Sequence, residues 1–318
     1  MDEGITEFEL IDLIKAGSTG SARLKTGVGD DAAVTVPGGA TATSVDAIVE
    51  GVHFRREWSP PDAIARKALG SALSDLAAMG AEPGEIYVTL GVPRGTDPGF
   101  LKELAEGFLD TADRFGAVLA GGDTVSSRTL FVSVTVVGHA PDEDRFVLRS
   151  GAVPGEIVAV TGELGGAAAG HWLLHRDSSE LDADQRALVE RQLRPVPRLA
   201  AGSALAASGA GSMVDVSDGL MADLAHVAAA SGVSIDVDPE LVPVQAGVEM
   251  VAAAAGETAL GLALSGGEDY ELAVTMPESR FEEARAALAG LNVRLTRIGR
   301  VGSGSGVSPE QRGYDHFG

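Results

Sequence analysis

The residues with the clearest chemical potential are aspartates that stand beside glycine or beside apolar segments. They recur along the whole chain as Asp30, Asp46, Asp75, Asp123, Asp215 and Asp218. Few lysines or arginines lie near them in sequence, and an unpaired carboxylate is costly to bury. Several carboxylates that converge on one cleft repel each other unless cations neutralise them. The pattern favours Mg²⁺, a cation that prefers oxygen ligands and shares its shell with substrate phosphates.

Two glycine pairs indicate what such cations would hold. The pair at 121–122 precedes Asp123, and the pair at 266–267 precedes Glu268. Glycine lets backbone N–H groups approach phosphate oxygens closely. Arg149 is either a bidentate phosphate ligand or an ordinary exposed arginine. The chain has no G-x-x-x-x-G-K-[ST] sequence, so it is not a P-loop protein.

Each acid also has an ordinary structural explanation. Asp218 stands where it could cap a helix that begins at 219, and Asp30 suits a tight turn. Asp75 differs because it shares an apolar helical stripe with Leu69 and Met79, where a free acid is unusual. The metal-binding prediction therefore rests on the set of acids together.

Composition excludes several classes of function. The chain has 318 residues, no cysteine and a net charge of −22. Without cysteine there are no disulfides, thiolate metal sites or cysteine nucleophiles. The excess acid argues against nucleic-acid binding. No apolar stretch is long enough to span a bilayer, and the acidic N-terminus does not resemble a signal peptide, so we expect a cytoplasmic protein without membrane contact.

The apolar pattern predicts an α/β (α+β) chain of two domains. Strands are predicted at 41–49, 85–93, 130–137, 156–161, 233–237 and 270–275, and helices at 62–79, 98–115, 183–193, 219–230 and 278–288. The polar, turn-rich stretch 141–154 predicts the boundary between an N-terminal domain at 1–140 and a C-terminal domain at 150–318.

Seven short motifs follow one another in a fixed order. They are GVGDDAA at 27–33, VD at 45–46 with EGVHF at 50–54, LSDLAAMG at 73–80, GGDT at 121–124, DVSDGL at 215–220, SGGEDYEL at 265–272 and GYDHF at 313–317. In this order they resemble the thiamine-monophosphate kinase family of the aminoimidazole-ribonucleotide-synthetase-like superfamily. EGVHF and GGEDYEL are the most specific motifs, and others are shared across the superfamily.

The resemblance implies transfer of a phosphoryl group from ATP to thiamine phosphate, which yields thiamine diphosphate. It also implies a homodimer in which the N-terminal sheets form a barrel. The nucleotide and several Mg²⁺ ions would lie in a cleft near the two domains and the dimer seam, with the N-terminal domain as the nucleotide/metal-binding and dimerisation domain. The magnesium ligands that it implies are Asp30, Ser44, Asp46, Asp75, Asp123, Asp215 and Asp218. The ATP contacts that it implies are Gly121, Gly122, Arg149 and Ser217. The thiamine-phosphate contacts are His53, Glu268 and Tyr314. One departure is Ser44, where family members often carry threonine.

The chemistry agrees with this resemblance. Phosphoryl transfer depends on positioned metals and phosphates more than on covalent work by the protein. A phosphate monoester has its second pKa near ~6, so the acceptor needs no general base, and we name no catalytic residue. Tyr314 and Phe317 are both candidates for stacking on the thiamine rings, and Trp58 is a weaker one. Docking of a terminal aromatic onto the core and a purely structural role for His53 also stay open.

Rival functions differ in the motifs that they require. Aminoimidazole-ribonucleotide synthetase shares the acidic and glycine motifs but lacks the contexts of His53 and Glu268. Selenophosphate synthetase and the hydrogenase-maturation relative need a cysteine or selenocysteine that this chain lacks. A non-catalytic module could bind Mg²⁺ or Ca²⁺ through the same acids, although no EF-hand spacing is present.

Overall fold

The computed structural model describes residues 7–176 and 180–309. These residues form two compact units. The first contains residues 7–76 and 82–143, and the second contains 77–81 and the described residues from 144 onward.

The first unit combines three helices with one larger and one smaller sheet. Its elements are α1 (Glu7–Gly17), β1 (Leu24–Thr26), β2 (Val34–Thr35), β3 (Ala40–Val49), α2 (Pro61–Ala78), β4 (Glu82–Pro93), α3 (Pro98–Arg114), β5 (Val118–Ser127) and β6 (Phe131–Ala140). Proline begins both α2 and α3. It suits the first helical turn because N–H groups there have no acceptor within the helix, so the N–H that proline lacks is not needed. The Asp97 side chain also caps α3 by accepting from the N–H of Phe100.

The larger sheet of this unit has the strand order β3-β6-β4-β5. The β4–β5 pair is parallel, and the other two pairs are antiparallel. Along β6, Val132, Val134 and Val136 are fully buried, whereas the residues between them are half exposed. Side chains alternate between the two faces of a strand, so only one face of this sheet is packed into the core. Helix α2 adds the fully buried Leu69 and Leu73 to that core.

The second unit surrounds one six-stranded sheet with helices. Its elements are β7 (Ile157–Thr161), α4 (Gly166–Leu174), α5 (Ala183–Leu193), α6 (Leu199–Ala207), β8 (Ser212–Asp215), α7 (Leu220–Ser231), β9 (Ser234–Val237), α8 (Val248–Ala255), α9 (Ala259–Ser265), β10 (Leu272–Met276), α10 (Glu278–Ala289), β11 (Leu295–Gly302) and β12 (Gly306–Ser308). The strand order is β12-β9-β11-β7-β10-β8, with only the β12–β9 pair parallel.

Burial explains why the central strands of this sheet read as continuous apolar runs. Every residue of β7 and β10 is buried. Such strands need apolar side chains on both faces, in contrast to the alternating pattern of β6. A second apolar cluster joins α4, α5 and α8 through Leu173, Leu188 and Val251.

The predicted α/β (α+β) class with a mixed N-terminal sheet and a C-terminal α/β part is confirmed. Each predicted strand and helix corresponds to an observed element of the same type, with ends that differ by at most three residues. The sequence pattern did not predict the short helices α1, α4, α6, α8 and α9 or the strands β1, β2, β5, β8, β11 and β12.

Within residues 7–176 and 180–309, no single helix is both long and apolar enough to span a bilayer. The consecutive helices α8 and α9 reach that length and composition only together, and they are bent by 98° at their junction.

Candidate active site

A cavity of about 880 Å³ lies in the first unit. Its polar wall is formed by the loop 27–31 and by residues 119–124 of β5. Among the predicted site residues, this wall contains Asp30, Gly121, Gly122 and Asp123. The structure therefore brings two predicted metal ligands and two predicted nucleotide contacts together. The apolar wall comes from α1, α3 and β4 and includes Leu10, Ile14, Tyr87, Leu101 and Phe108.

The loop 27–31 orients Asp30 through its own backbone. Gly29 has a φ of +108°, a conformation that favours glycine. The Asp30 side chain accepts a hydrogen bond of 2.8 Å from the N–H of Asp31. This is the turn geometry open to Asp30 from sequence, and it leaves the carboxylate exposed on the cavity wall. The turn role and the metal-ligand role are therefore compatible.

Gly122 has a packing reason to be glycine. A Cβ there would lie 2.1 Å from the carbonyl oxygen of Val88 on the neighbouring strand, which no side chain could tolerate. At Gly121 a Cβ would come no closer than 3.2 Å, to the ring of Tyr87. Close approach of β5 to β4 thus explains Gly122, whether or not its backbone also contacts a phosphate.

A second group of predicted ligands lies at the other edge of the same sheet. The hydroxyl of Ser44 donates to Oδ2 of Asp75, which joins β3 to α2. Asp46 lies two residues after Ser44 and so on the same face of β3, and its carboxylate accepts from the N–H of Ala47 at 2.7 Å. Ser44, Asp46 and Asp75 do not line the cavity.

The two groups are separated by the width of the sheet. The pairing register aligns Asp46 with Val134, Val134 with Val88 and Val88 with Gly122. Three interstrand spacings of about 4.8 Å put Asp46 and Gly122 about 14 Å apart. Within one chain, the acids of the first unit therefore form two clusters.

His53 lies in a tight turn directly after β3. Gly51 has a φ of +85°, and its N–H donates to the carbonyl of Phe54 at 2.8 Å. The N–H of Val49 donates to Nδ1 of His53 at 3.1 Å. In a neutral ring the proton is then on Nε2, so that nitrogen is a donor suited to a phosphate oxygen.

In the second unit, the segment 215–219 contains three predicted residues, Asp215, Ser217 and Asp218. The N–H groups of Ser217 and Asp218 donate to Oδ2 of Asp223 at 3.0 and 3.1 Å. Helix α7 has Gly219 as its N-cap, without a side-chain cap. Asp218 is thus not the helix cap that the sequence allowed, and its carboxylate remains a candidate metal ligand.

Sequence reasoning missed two residues at this segment, Asp223 and His226. One ligand atom from each of Asp218, Asp223 and His226 lies within 4.8 Å of the others, a spacing that a cation can bridge. Burial, together with the charges of Asp215 and Asp218, raises the pKa of Asp223 to about 8. The signal that could have found them is the sequence DLAH at 223–226, one helical turn after DVSDG.

The loop that carries Glu268 packs against this segment. The N–H of Glu268 donates to the carbonyl of Ser217 at 2.8 Å. Gln192, which is buried, donates from Nε2 to Oε2 of Glu268 at 2.6 Å. Glu268 and Tyr270 have φ values of +66° and +50°, so the loop holds a backbone conformation that is rare outside glycine. The predicted substrate contact is therefore fixed beside the predicted metal ligands of this unit.

A buried ion network anchors the same loop. Arg191 donates to Asp269 at 3.1 Å and to Glu271 at 2.9 Å. Arg198 binds both carboxylate oxygens of Glu271, at 2.6 and 2.8 Å. Asp269 also accepts from two backbone N–H groups at the start of α4. Burial alone would raise the pKa of Glu271, but Arg198 and Arg191 more than offset it and hold that pKa below its usual value.

Two predicted contacts are not placed beside these groups. The carbonyl of Arg149 accepts from the hydroxyl of Ser231, at the end of α7 remote from Ser217. A helix of this length spans about 18 Å, so the backbone of Arg149 is far from Ser217. Tyr314 lies outside the described residues.

Comparison with known proteins supports one family. Residues 29–140 match the model "AIR synthase related protein, N-terminal domain", and residues 153–310 match "AIR synthase related protein, C-terminal domain". The thiamine-monophosphate kinase of Mycobacterium tuberculosis is 42% identical over 272 residues, which cover 84% of this chain and 79% of the relative.

Solved structures agree with the sequence relatives. The crystal structure of thiamine-monophosphate kinase from Stenotrophomonas maltophilia K279a is 36% identical, with a TM-score of 0.86 and coverage of 95% of this chain and 96% of that one. A structure described as AaThiL complexed with AMPPCP and TMP is 33% identical, with a TM-score of 0.81 and coverage of 98% and 97%. These similarities run through both units of the fold, and the chain belongs to the thiamine-monophosphate kinase family.

Proposed function

We propose that this chain phosphorylates thiamine phosphate to thiamine diphosphate with ATP, by direct in-line transfer. The observation that carries the proposal is the relative bound to AMPPCP and TMP, which matches almost the whole chain. The acceptor phosphate is a nucleophile without deprotonation at neutral pH, so the chain needs positioned ligands in place of a catalytic base.

The nucleotide is proposed to bind in the cavity of the first unit. The apolar wall from α1 and α3 suits a nucleoside base, and the polar wall with Asp30, Gly121, Gly122 and Asp123 suits phosphates and their cations. Ser217 and Arg149 are further proposed nucleotide contacts, and His53, Glu268 and Tyr314 are the proposed contacts of thiamine phosphate. The first unit is thus the proposed nucleotide-binding and dimerisation domain.

Magnesium is the proposed cofactor. The donor set fits it, because carboxylates and one hydroxyl are hard oxygen ligands. The residues that would hold Mg²⁺ are Asp30, Ser44, Asp46, Asp75, Asp123, Asp215 and Asp218. When bound, Mg²⁺ neutralises phosphate charge, which lets two anionic substrates approach each other.

A homodimer is proposed as the working form. Strand β3 is an edge strand, and its residue Val45 is 64% exposed. The sheet face opposite the core is only half covered, and the two acid clusters of one chain lie at opposite edges of that sheet. A second copy that closes the sheets into a barrel would cover this surface and place additional acids near each cavity.

The dimer prediction can be tested at Val45. Replacing Val45 with glutamate should shift the protein from dimer to monomer in sedimentation velocity, since the new charge would be buried at the interface. A wild-type protein that sediments as a monomer would contradict the dimer proposal.

The proposed compartment is the cytoplasm, where ATP is available, and neither a membrane nor a nucleic acid is a proposed partner. The net charge of −22 opposes contact with phosphate backbones.

The function is tested by incubating the protein with ATP, Mg²⁺ and thiamine phosphate and measuring both ADP and thiamine diphosphate. We expect equal amounts of the two products and none when EDTA removes the metal. ADP release that depends on formylglycinamidine ribonucleotide would instead favour the aminoimidazole-ribonucleotide synthetase reaction. Metal and nucleotide binding without turnover on any thiamine ester would favour the non-catalytic module.

His53 is expected to act on the acceptor. Replacing His53 with asparagine keeps an acceptor for the N–H of Val49 but removes the donor Nε2, and replacing it with alanine removes both. Because a hydrogen bond to a charged group contributes about 1.5–3 kcal/mol, both variants should raise the KM for thiamine phosphate by roughly 10- to 100-fold. Their affinity for AMPPCP should stay unchanged.

His175 provides the matched control, because it is an exposed histidine at the C-cap of α4. His175→Ala should leave the KM for thiamine phosphate and the affinity for AMPPCP unchanged. An unchanged KM and rate for thiamine phosphate in His53→Ala would refute the substrate role of His53.

A further inference from the structure

Lys15 is the single lysine or arginine that lines the cavity of the first unit, among the residues that the structure describes. It belongs to the last turn of α1, and its side chain crosses the loop 27–31 at Gly29. A Cβ built on Gly29 would lie 2.6 Å from Nζ, 2.9 Å from Cε and 3.1 Å from Cδ of Lys15. The ammonium is therefore positioned directly above the backbone of the loop that presents Asp30.

Among the residues that the structure describes, Lys15 pairs with no acid, although several acids line the same cavity. Asp12, Asp30, Asp31 and Asp123 line the same cavity. Nevertheless, within residues 7–176 and 180–309 the ammonium of Lys15 has no carboxylate oxygen within ion-pair distance. Its position is thus not explained by an internal salt bridge.

The charges of the residues that line the cavity indicate a role for the Lys15 ammonium. Four acids and one lysine leave a net charge of −3 on the lining residues. Divalent cations would neutralise the acids, but they leave part of the charge of a triphosphate uncompensated. A lysine ammonium is a compact charge with three donors, which suits a phosphate oxygen.

We propose that Lys15 binds a phosphate group of the nucleotide in this cavity. The inference rests on the proposed function, because that function supplies the nucleotide. It adds a direct protein cation to a cavity whose other predicted contacts, Asp30, Gly121, Gly122 and Asp123, act through metals or through backbone N–H groups. Gly29 has a matching role, since any side chain there would displace the lysine from the loop.

The test compares Lys15→Met, Lys15→Arg and a control, Lys102→Met, by calorimetric titration with AMPPCP and with adenosine in excess Mg²⁺. Lys102 is an exposed lysine of α3 that lies 3.8 Å from Glu106. Loss of one charge-assisted hydrogen bond should weaken AMPPCP binding by about 10- to 100-fold in Lys15→Met. Lys15→Arg should retain most of the affinity, and Lys102→Met should match wild type.

Adenosine and thiamine phosphate separate the possible causes. Adenosine lacks phosphate, so its affinity should be equal in wild type and Lys15→Met. The KM for thiamine phosphate should also be unchanged. An unaltered AMPPCP affinity in Lys15→Met, or an equal loss for adenosine, would overturn the role of Lys15 while the proposed function stands. A wild-type protein that binds no AMPPCP would overturn both.

Discussion

Replacing Asp75 or Asp46 with asparagine should reduce the turnover number by about 10²- to 10³-fold while the fold remains cooperative. Asparagine keeps the size and an oxygen of each side chain but removes the charge that a divalent cation requires. For Asp75 the variant also weakens the contact with the Ser44 hydroxyl, which joins β3 to α2. Both effects concern the cluster of proposed metal ligands at the β3 edge, so the two variants should behave alike.

The measurement is a steady-state titration with Mg²⁺ at saturating ATP and thiamine phosphate. Both variants should need higher Mg²⁺ concentrations and should not recover the wild-type rate. Asp110→Asn, which changes an exposed acid of α3, is the matched control and should leave the rate unchanged. Near-wild-type rates of Asp46→Asn and Asp75→Asn at saturating Mg²⁺ would contradict the proposal that these aspartates bind Mg²⁺.

Replacing Glu271 with glutamine should lower the free energy of unfolding by about 3–5 kcal/mol. The carboxylate of Glu271 is fully buried and accepts from Arg191, Arg198 and the hydroxyl of Thr161. Glutamine has nearly the same volume, but it leaves two partly buried guanidinium groups without this counter-charge. Urea unfolding at neutral pH measures the loss.

The same network predicts how stability changes with pH. Arg198 and Arg191 hold the pKa of Glu271 below its usual value, so the unfolded chain takes up a proton at Glu271 before the folded chain does. The stabilisation from Glu271 is therefore complete above the unfolded pKa and is lost as the pH falls through the folded pKa. In the Glu271→Gln variant, this contribution to the loss of unfolding free energy at acidic pH should be absent.

Glu278 offers a surface control for Glu271. It lies 2.8 Å from Arg297, yet its side chain is 58% exposed, and exposed ion pairs contribute about 0–1 kcal/mol. Glu278→Gln should therefore lose less than about 1 kcal/mol. If Glu271→Gln lost no more than this control, the buried network would not be the anchor of the Glu268 loop.

The fold was predictable wherever a periodic pattern of apolar residues extended over many positions. Helix α2 and strand β6 have unbroken patterns over many residues, and both were identified from sequence. Helices α8 and α9 were missed because a single alanine-rich run contains both, and the break at 256–258 falls inside it. Strand β5 was missed because its second half is polar and glycine-rich, since it forms a sheet edge and a cavity wall.

The site was predictable only in its chemistry. Acids beside glycine identified Asp30 and Asp123, and the structure places both on one cavity. That Asp46 and Asp75 lie at the other edge of the sheet depends on strand order, which local sequence does not encode. The contacts of Gln192 with Glu268 and of Lys15 with the loop at Gly29 join residues that are distant in sequence, so no spacing rule reveals them.

The left-handed backbone at Glu268 and Tyr270 has a consequence for how this protein could be re-engineered. The loop is held in one conformation by Gln192 and by the buried ion pairs of Asp269 and Glu271. It therefore loses little conformational entropy when a ligand binds, so the binding surface is preorganised. A loop held in one conformation adapts poorly to a bulkier acceptor substrate. Broadening the choice of acceptor would therefore start at Gln192, behind the carboxylate, where the rigidity originates.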